Sequence, residues 1–518
     1  MDFTRRNFIH SSTAAASLAL MPKNTLGKNI NNDVLRVGMN VVAVSDPAQI
    51  VYDPARNQIG HMCENLVVRD FNGRLQPNLL EYWQFNDNAT KLKLKVKEGI
   101  KWSNGDNLNA DDIAFNIERW VDPATGSATG RLFKSIAKFD SKNQLAGIRE
   151  KAIEKLDDYT LQLNLSKPDV GIISYFFYYT TAIVHRNFEK WGSNIIENPV
   201  GTGSFILDDF NPGSYWSMKQ NKNFRNKKPN FSKLQYIDFD REQSSFISAL
   251  YSNQIDIIST LSAQAIPVLE GMNVNINDVN SGKAPTFTMR TDVFPFSDIR
   301  LRKAIQLAVD REKILETGQL GYGSISYEDH MISSLWPEYT DIEKKNKRDI
   351  TYAKKLIKEA GLENETIELT YAKSRDWNDS GAAILKNDLN SIGLNLKLSP
   401  IPEETFFDVW DKVPFSIISW GHKSPLKKAN AQFHSKGPTN TTRLNNSELD
   451  SLIEKANASV DIEKRREIFK EIELIVHDSA CYAMPFWPKL ISVTSPNVKN
   501  FKVHPANVHF FNNVYKEK

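Results

Sequence analysis

Two charged side chains, Arg290 and Asp292, offer a direct means of binding a charged small molecule. They follow Phe287 and Met289 in an alternating pattern, which predicts a β-strand with both charges on the face opposite the apolar one. An arginine guanidinium binds carboxylate, phosphate or sulfate groups through paired hydrogen bonds. Two interpretations stay open: Arg290 binds an anionic solute, or Arg290 forms a structural ion pair with Asp292.

Motifs for catalysis are missing from the sequence. It contains no GxSxG elbow, no SxxK and no nucleophile–base pair, and no GxxxxGK[ST] phosphate loop. The adjacent carboxylates Asp111–Asp112 and Glu403–Glu404 stand at predicted helix starts, where acidic residues are typical. We therefore expect a protein that is not an enzyme and that needs no cofactor, with a secreted hydrolase as the alternative class.

Histidines and cysteines give no metal-ligand spacing. No HxxH, HExxH or CxxC occurs, so His422, His434, His504 and His509 are interpreted as ordinary polar residues. Cys63 and Cys481 are far apart in the chain. The sequence leaves their pairing open, and we expect two buried free thiols.

The charged strand is followed by a predicted amphipathic helix. Ser297 or Asp298 can cap it, and the apolar residues Leu301, Ile305 and Ala308 recur at helical spacing, with Ile314 as a possible continuation. Elsewhere, alternation in Lys91–Val96 predicts an edge strand whose lysines face water.

Length and composition predict a large protein with several lobes. The chain has 518 residues, too many for one hydrophobic core. Its 41% hydrophobic and 25% charged residues and a mean hydropathy of -0.43 are typical of a folded, water-soluble chain. The formal net charge is only +3, so we expect no nucleic-acid partner.

The first thirty residues resemble a twin-arginine export signal. Arg5, Arg6 and Phe8 precede a short run, Ser11 to Met21, that is rich in Ala and Ser. The run is too short to span a membrane, which takes about 20 apolar residues, and no suitable cysteine for a lipid anchor follows. We expect export to the periplasm by the twin-arginine translocase, without lipid anchoring.

An ordered series of motifs in the rest of the chain resembles the family 5 extracellular solute-binding proteins, which serve ABC importers for dipeptides, oligopeptides, nickel and related solutes. The motifs are Glu64-Asn65-Leu66-Val67, Asp70-x-x-Gly73-x-Leu75-x-Pro77, Gly99-Ile100-Lys101-Trp102, Asn198-Pro199-Val200-Gly201-Thr202-Gly203 and Pro295-Phe296-x-Asp298-x-Arg300-x-Arg302. The resemblance covers nearly all of the chain after the export signal.

The resemblance implies an α/β fold of the periplasmic-binding-protein type, class II, in its large three-lobe variant. Two lobes would close on a ligand, and a further lobe is inserted. The implied boundaries are 1–30 for the signal, 33–68 with 198–288 and 490–518 for lobe I, 69–197 for lobe II, and 289–489 for lobe III. The strand before Arg290 would then be a hinge crossing, with Arg290 and Asp292 on the hinge side of the cleft.

The same resemblance points to the run Ser419 to Pro425 as ligand-binding. Peptide binders of this family carry an aspartate there that pairs with the amino group of the peptide, whereas this chain has Trp420, Gly421, His422 and Lys423. A cation at this place repels an ammonium group. The implied function is a periplasmic receptor that captures a peptide or peptide-like solute and delivers it to an ABC permease and its ATPase subunits. The alternatives are an anionic amino-acid conjugate, nickel, or an oligosaccharide stacked on Trp377, Trp410 and Trp420.

Overall fold

The structure is a computed structural model that describes residues 33–50, 55–240, 242–373 and 377–517. The predicted export signal, with Arg5, Arg6 and Phe8, lies outside the described residues. In the described ranges, no helix is long and apolar enough to cross a membrane.

The largest sheet of the described chain has eight strands of mixed direction. Its strands run in the spatial order Phe205–Asn211, Tyr215–Gln220, Lys233–Ile237, Val34–Gly38, Ile257–Leu261, Phe486–Thr494 and Asn275–Asn280, and Gly323–Ile325 pairs with the first residues of Phe486–Thr494. The chain reaches this sheet from its N-terminal, central and C-terminal parts, so the sheet gathers segments that are far apart in sequence.

A five-stranded sheet and a four-stranded sheet form the other two layers of strands. The five-stranded order is Asn395–Ile401, Thr366–Ala372, Phe415–Trp420, Ala284–Met289 and Tyr482–Ala483, and the four-stranded order is Leu80–Phe85, Lys91–Val96, Thr160–Asn164 and Ile153–Asp157. Short strand pairs are Val67–Arg69 with Leu75–Pro77, Ala137–Phe139 with Leu145–Ile148, and Val498–Lys499 with Tyr515–Lys516.

Helices cover these sheets, as expected for an α/β fold. They are Ala55–Gly60, Ala110–Val121, Ile172–Tyr175, Gln243–Tyr251, Ile299–Ala308, Arg311–Gln319, Ile350–Ala360, Asn378–Ser391, Glu403–Val409, Pro425–Lys428, Ser447–Ala458 and Ile462–Ser479. The unit formed by Thr366–Ala372, the helix Asn378–Ser391 and the parallel strand Asn395–Ile401 confirms the βαβ arrangement that the sequence pattern predicts.

The eight-stranded and five-stranded sheets are joined by two short connections in the described chain. Residues 281–283 link the strand Asn275–Asn280 to Ala284–Met289, and residues 484–485 link Tyr482–Ala483 to Phe486–Thr494. The Ser281 backbone N–H and hydroxyl both donate to the Pro488 carbonyl, at 3.1 and 2.7 Å, and so tie the first connection to the strand that follows the second. Two adjacent, short connections are the usual construction of a hinge.

The strand at the first connection is shorter and more buried than its alternation predicts. It ends at Met289, and all six of its residues are buried. Phe287 and Met289 belong to one hydrophobic core, and Ala284 belongs to another on the opposite face. The predicted polar strand face is therefore wrong: Arg290 and Asp292 follow the strand instead of lying on it.

The predicted helix begins where expected and ends earlier. Asp298 caps Ile299–Ala308 by accepting from the Arg300 backbone N–H. Asp310 then caps a second helix, Arg311–Gln319, by accepting from the Lys313 N–H, so the apolar stripe is shared by two helices.

Lys91–Val96 is not the predicted edge strand, because Leu80–Phe85 and Thr160–Asn164 pair with its two sides. The leucines and valine are buried as predicted, and the lysines are exposed or partly exposed.

The Gly201-Thr202-Gly203 motif allows two backbones to approach closely. A Cβ atom on Gly201 would stand 2.1 Å from the Met62 carbonyl oxygen, and one on Gly203 would stand 2.2 Å from that of His61. Close packing of the two backbones therefore requires glycine at both positions. Cys63 and Cys481 are both buried and free, which confirms the expectation for the thiols.

Candidate ligand-binding cleft

The loop Gly421–Lys423 begins where the buried strand Phe415–Trp420 ends. Trp420 pairs with Ala284, so the loop lies beside the connection at residues 281–283. Gly282 leaves room for the loop, because a Cβ atom at this position would stand 2.2 Å from His422 Nδ1. The strand register thus places the predicted ligand-binding loop beside this short connection.

A cavity of about 250 Å³ opens at this loop. Its wall includes Phe406, Phe407, Trp410, Trp420 and Lys423. The two tryptophan rings meet edge to face, with centroids 5.7 Å apart, and Lys423 Nζ lies 5.7 Å from the Trp420 ring centroid. The volume is near the lower end of the range for small-molecule sites, about 300–1,000 Å³. It suits a small molecule or one substituent of a larger one.

A stack of three side chains continues from the loop across the cleft. The His422 ring stacks on Trp336 at 4.7 Å, and the Arg69 guanidinium carbon lies 4.3 Å from the Trp336 ring centroid. His422 comes from the five-stranded-sheet side, whereas Arg69 ends the strand Val67–Arg69 next to the core of the four-stranded sheet. Side chains from two separate parts of the fold therefore meet here.

The environment of His422 is strongly cationic. Burial lowers the pKa of His422 well below its usual value, and the charges of Arg69 and Lys428 lower it further. Its Nδ1 atom is buried without a hydrogen-bond partner among the described residues. Burial also lowers the pKa of His504 to about 4, and this ring lies against the carbonyls of Arg69 and Asp70. Both histidines are neutral at pH 7.

Three lysines follow in the loop and the short helix Pro425–Lys428. Burial, reinforced by a neighbouring cation in each case, lowers the pKa of Lys423 to about 8 and the pKa values of Lys427 and Lys428 to about 7. Lys427 Nζ lies 3.7 Å from the centroid of the Tyr178 ring, and fully buried Lys428 donates to the Met331 carbonyl at 2.6 Å. In the described part of the chain, none of the three forms an ion pair with Asp or Glu.

Arg290 and Asp292 lie at the other end of the same strand pair. The register runs from Ala284 opposite Trp420 to Met289 opposite Phe415, which separates the two ends by about 17 Å. Arg290 donates to both carboxylate oxygens of Asp292, at 2.9 and 2.7 Å, and to the Lys412 carbonyl. Their predicted placement on the hinge side of the cleft is wrong, and the structure does not bring them together with Trp420–Lys423.

Several side chains of the cleft were not predicted from the sequence. Arg69 and Trp336 come from distant segments, and only folding brings them to His422. Lys427 and Lys428 gave one usable signal, since the two lysines directly follow the predicted loop in the sequence. Arg69 and Trp336 offered none, because an arginine at a strand end and a tryptophan in a loop are common everywhere.

The described residues contain no group of three His, Cys, Asp or Glu side chains that could hold a metal ion. What the cleft does offer is aromatic surface and nitrogen donors. Such a lining is suited to binding a ligand that accepts hydrogen bonds and stacks on rings.

Comparison with known proteins agrees with this geometry. The profile of the bacterial extracellular solute-binding proteins, family 5 Middle, matches residues 74–440. A relative from Escherichia coli K12, described as a probable deoxycholate-binding periplasmic protein, is 22% identical over 525 residues, covering 96% of this chain and 94% of the relative. The periplasmic oligopeptide-binding protein of Salmonella typhimurium LT2 is 25% identical over 508 residues, covering 89% of this chain and 87% of the relative.

The fold is also found in solved structures. That of an ABC transporter substrate-binding protein from Listeria monocytogenes superposes with a TM-score of 0.81 at 19% identity, covering 94% of this chain and 99% of the other. Because the family profile spans more than half of the chain, the chain belongs to the bacterial extracellular solute-binding proteins of family 5.

Proposed function

We propose that the protein is the receptor of an ABC importer, and that it captures a small solute by closing two lobes around it. One observation carries this proposal: the stack of His422, Trp336 and Arg69 joins two parts of the fold beside two short connections. A solute that contacts both sides would shift the equilibrium toward the closed form. The closed receptor then delivers the solute to the membrane permease, and the ATPase subunits drive import.

The lobes of the proposal are those implied by the family resemblance. Lobe I comprises 33–68, 198–288 and 490–518, lobe II comprises 69–197, and lobe III comprises 289–489. The connections at 281–283 and 484–485, each a few residues before the implied boundary between lobes I and III, would be the hinge between these two lobes. Trp420, Gly421, His422 and Lys423 would contribute to the ligand-binding wall of lobe III.

The solute in this proposal is a peptide or a peptide-like compound. The family relationship supports it, since one relative is named as an oligopeptide-binding protein. A non-peptide anion is the second candidate, because Lys423 lines the cavity and another relative is named for deoxycholate, a carboxylate. Oligosaccharide and nickel remain alternatives without a comparable observation in their favour.

We further propose that the protein acts in the periplasm. The named relatives are periplasmic proteins, which supports this location. Arg5, Arg6 and Phe8 would direct export through the twin-arginine translocase, leaving the receptor without a lipid anchor.

A solute screen tests the proposal. The purified protein is heated with peptides, acidic amino-acid conjugates, oligosaccharides and nickel, and each hit is examined by small-angle X-ray scattering. A true solute at about a hundred times its Kd adds about 2.7 kcal/mol to the free energy of unfolding, and it should also reduce the radius of gyration. Chemical turnover of a hit, or binding without compaction, would contradict a hinge-closing receptor.

A further inference from the structure

We infer that the part of the solute held at Trp420–Lys423 is an apolar group that carries an acid. The apolar group occupies the cavity of about 250 Å³, and its acid meets the ammonium group of Lys423. This inference rests on the proposed receptor function and deepens it by naming the chemical class that the site recognises.

The cavity wall defines the apolar part. Phe406 and Trp420 are almost fully buried, and Trp410 contacts Trp420 edge to face. Their rings, with Ile417 and Ile418, form the apolar part of a concave surface that Asn378, Ser419 and Lys423 complete with polar groups. A ligand group that fills it removes apolar surface from water and can stack on aromatic rings.

The polar edge of the cavity offers donors. Lys423 lines it, and its Nζ atom lies 5.7 Å from the centroid of the Trp420 ring, so the cation lies beside the aromatic wall. A carboxylate, phosphate or sulfate oxygen would accept hydrogen bonds from this ammonium group, whereas a second ammonium group could not.

The charges around Lys423 have one sign. Lys427 faces the Tyr178 ring, and Lys428 is held by the Met331 carbonyl. No carboxylate forms an ion pair with any of these three lysines within the described ranges. Burial and the neighbouring cations lower the pKa values of all three, so their ammonium forms are disfavoured without an anion. A bound anion removes this disadvantage, and a bound cation increases it.

Three probes of matched size separate charge from shape. N-acetylphenylalanine carries a ring and a carboxylate, its primary amide carries the same ring without charge, and the amine in which an aminomethyl group replaces the carboxyl group carries the same ring and an ammonium. Calorimetric titration of the full mature protein should show the acid binding about tenfold or more tightly than the amide, and the amine not binding, because charged hydrogen bonds are worth about 1.5–3 kcal/mol. Titration near pH 8, in two buffers of different ionisation enthalpy, should show proton uptake with the acid as the lysines regain their charge.

Variants assign the effect to the named side chain. Lys423→Met keeps the apolar stem, and it should reduce the ratio of the affinity for the acid to the affinity for the amide to about one. Lys423→Arg should retain the preference for the acid. Lys354→Met is the matched control and should keep this preference, because Lys354 is exposed on the helix Ile350–Ala360, none of whose residues lines the cavity. Unchanged melting temperatures without ligand show that the variants are folded.

The outcomes separate this inference from the receptor function. Equal or stronger binding of the amide or the amine, or an unchanged preference in Lys423→Met, overturns the inference and leaves the receptor function standing. Failure of every probe and of the whole solute panel to bind overturns both.

Discussion

Gly73 lies so close to Leu335 that a Cβ atom on residue 73 would stand 2.2 Å from the Leu335 carbonyl oxygen. Gly73 belongs to the turn between Val67–Arg69 and Leu75–Pro77, and Leu335 precedes Trp336 of the cleft stack. The neighbouring Met331 and Ile332 share a hydrophobic core with Trp420. The contact therefore joins this turn to the segment that carries Trp336, and only a glycine permits it.

In the proposed closing motion the Gly73–Leu335 contact forms as the lobes meet, so Gly73→Ala should weaken solute binding by about tenfold or more, because forced overlap costs about 1–3 kcal/mol. Isothermal titration measures the loss, and scattering should show a larger radius of gyration in the presence of solute. Gly99→Ala is the matched control: Gly99 has a φ of +76°, close to the +74° of Gly73, and a Cβ atom on residue 99 would have no neighbouring atom within 4 Å. Equal losses in both variants would mean that backbone strain, and not closure, is responsible.

Arg290→Ala should leave the affinity for solute unchanged, since Arg290 is satisfied by Asp292 and by the Lys412 carbonyl at the far end of the strand pair. The pair is partly exposed to solvent, so its loss should lower the free energy of unfolding by about 0–1 kcal/mol. Titration with a solute identified in the screen, beside Lys423→Met, provides the comparison. A tenfold weaker affinity in Arg290→Ala would show that Arg290 does contribute to solute binding.

Glu473→Gln should stabilise the protein increasingly as the pH rises. Burial raises the pKa of Glu473 from 4.5 to about 8, so between these values the folded state holds a proton that the unfolded state releases. Stability from this group is fully present below pH 4.5 and is lost as the pH rises through about 8. Over this pH window, the free energy of unfolding of the variant should rise relative to that of the wild type by up to about 1.4 kcal/mol per pH unit.

Urea unfolding of both proteins at several pH values measures this gain. The glutamine can still accept from the Thr340 hydroxyl, which donates to Glu473 in the wild type. Glu471→Gln, at an exposed position of the same helix, serves as the control and should show no such trend. A pH-independent difference for Glu473→Gln would show that the carboxyl is charged in the folded state.

Replacing both Arg5 and Arg6 with lysine should leave the protein in the cytoplasm, because the twin-arginine translocase reads the arginine pair as an address. Immunoblots of periplasmic and cytoplasmic fractions follow the distribution, and a resident periplasmic enzyme controls for fractionation. A normal periplasmic yield would contradict the proposed route of export.

The sequence by itself determined the local features that depend on neighbouring residues. Asp298 caps a helix as predicted, and Lys91–Val96 buries the face that its alternation predicts, because caps and periodicity act within a few residues. The order of its motifs likewise pointed to the family. The sequence could not show that Lys91–Val96 has a paired strand on each side, since the neighbouring strands come from other segments of the chain.

Only the tertiary structure decided the composition of the cleft. The register of Ala284–Met289 against Phe415–Trp420 places Lys423 near the connection at residues 281–283 and Arg290 at the other end of the strand pair, about 17 Å away, although both looked equally suited to an anion in the sequence. Arg69 and Trp336 reach His422 only because separate parts of the fold meet there. A side chain's charge is local information, whereas its partners depend on how distant strands pair and how the lobes pack.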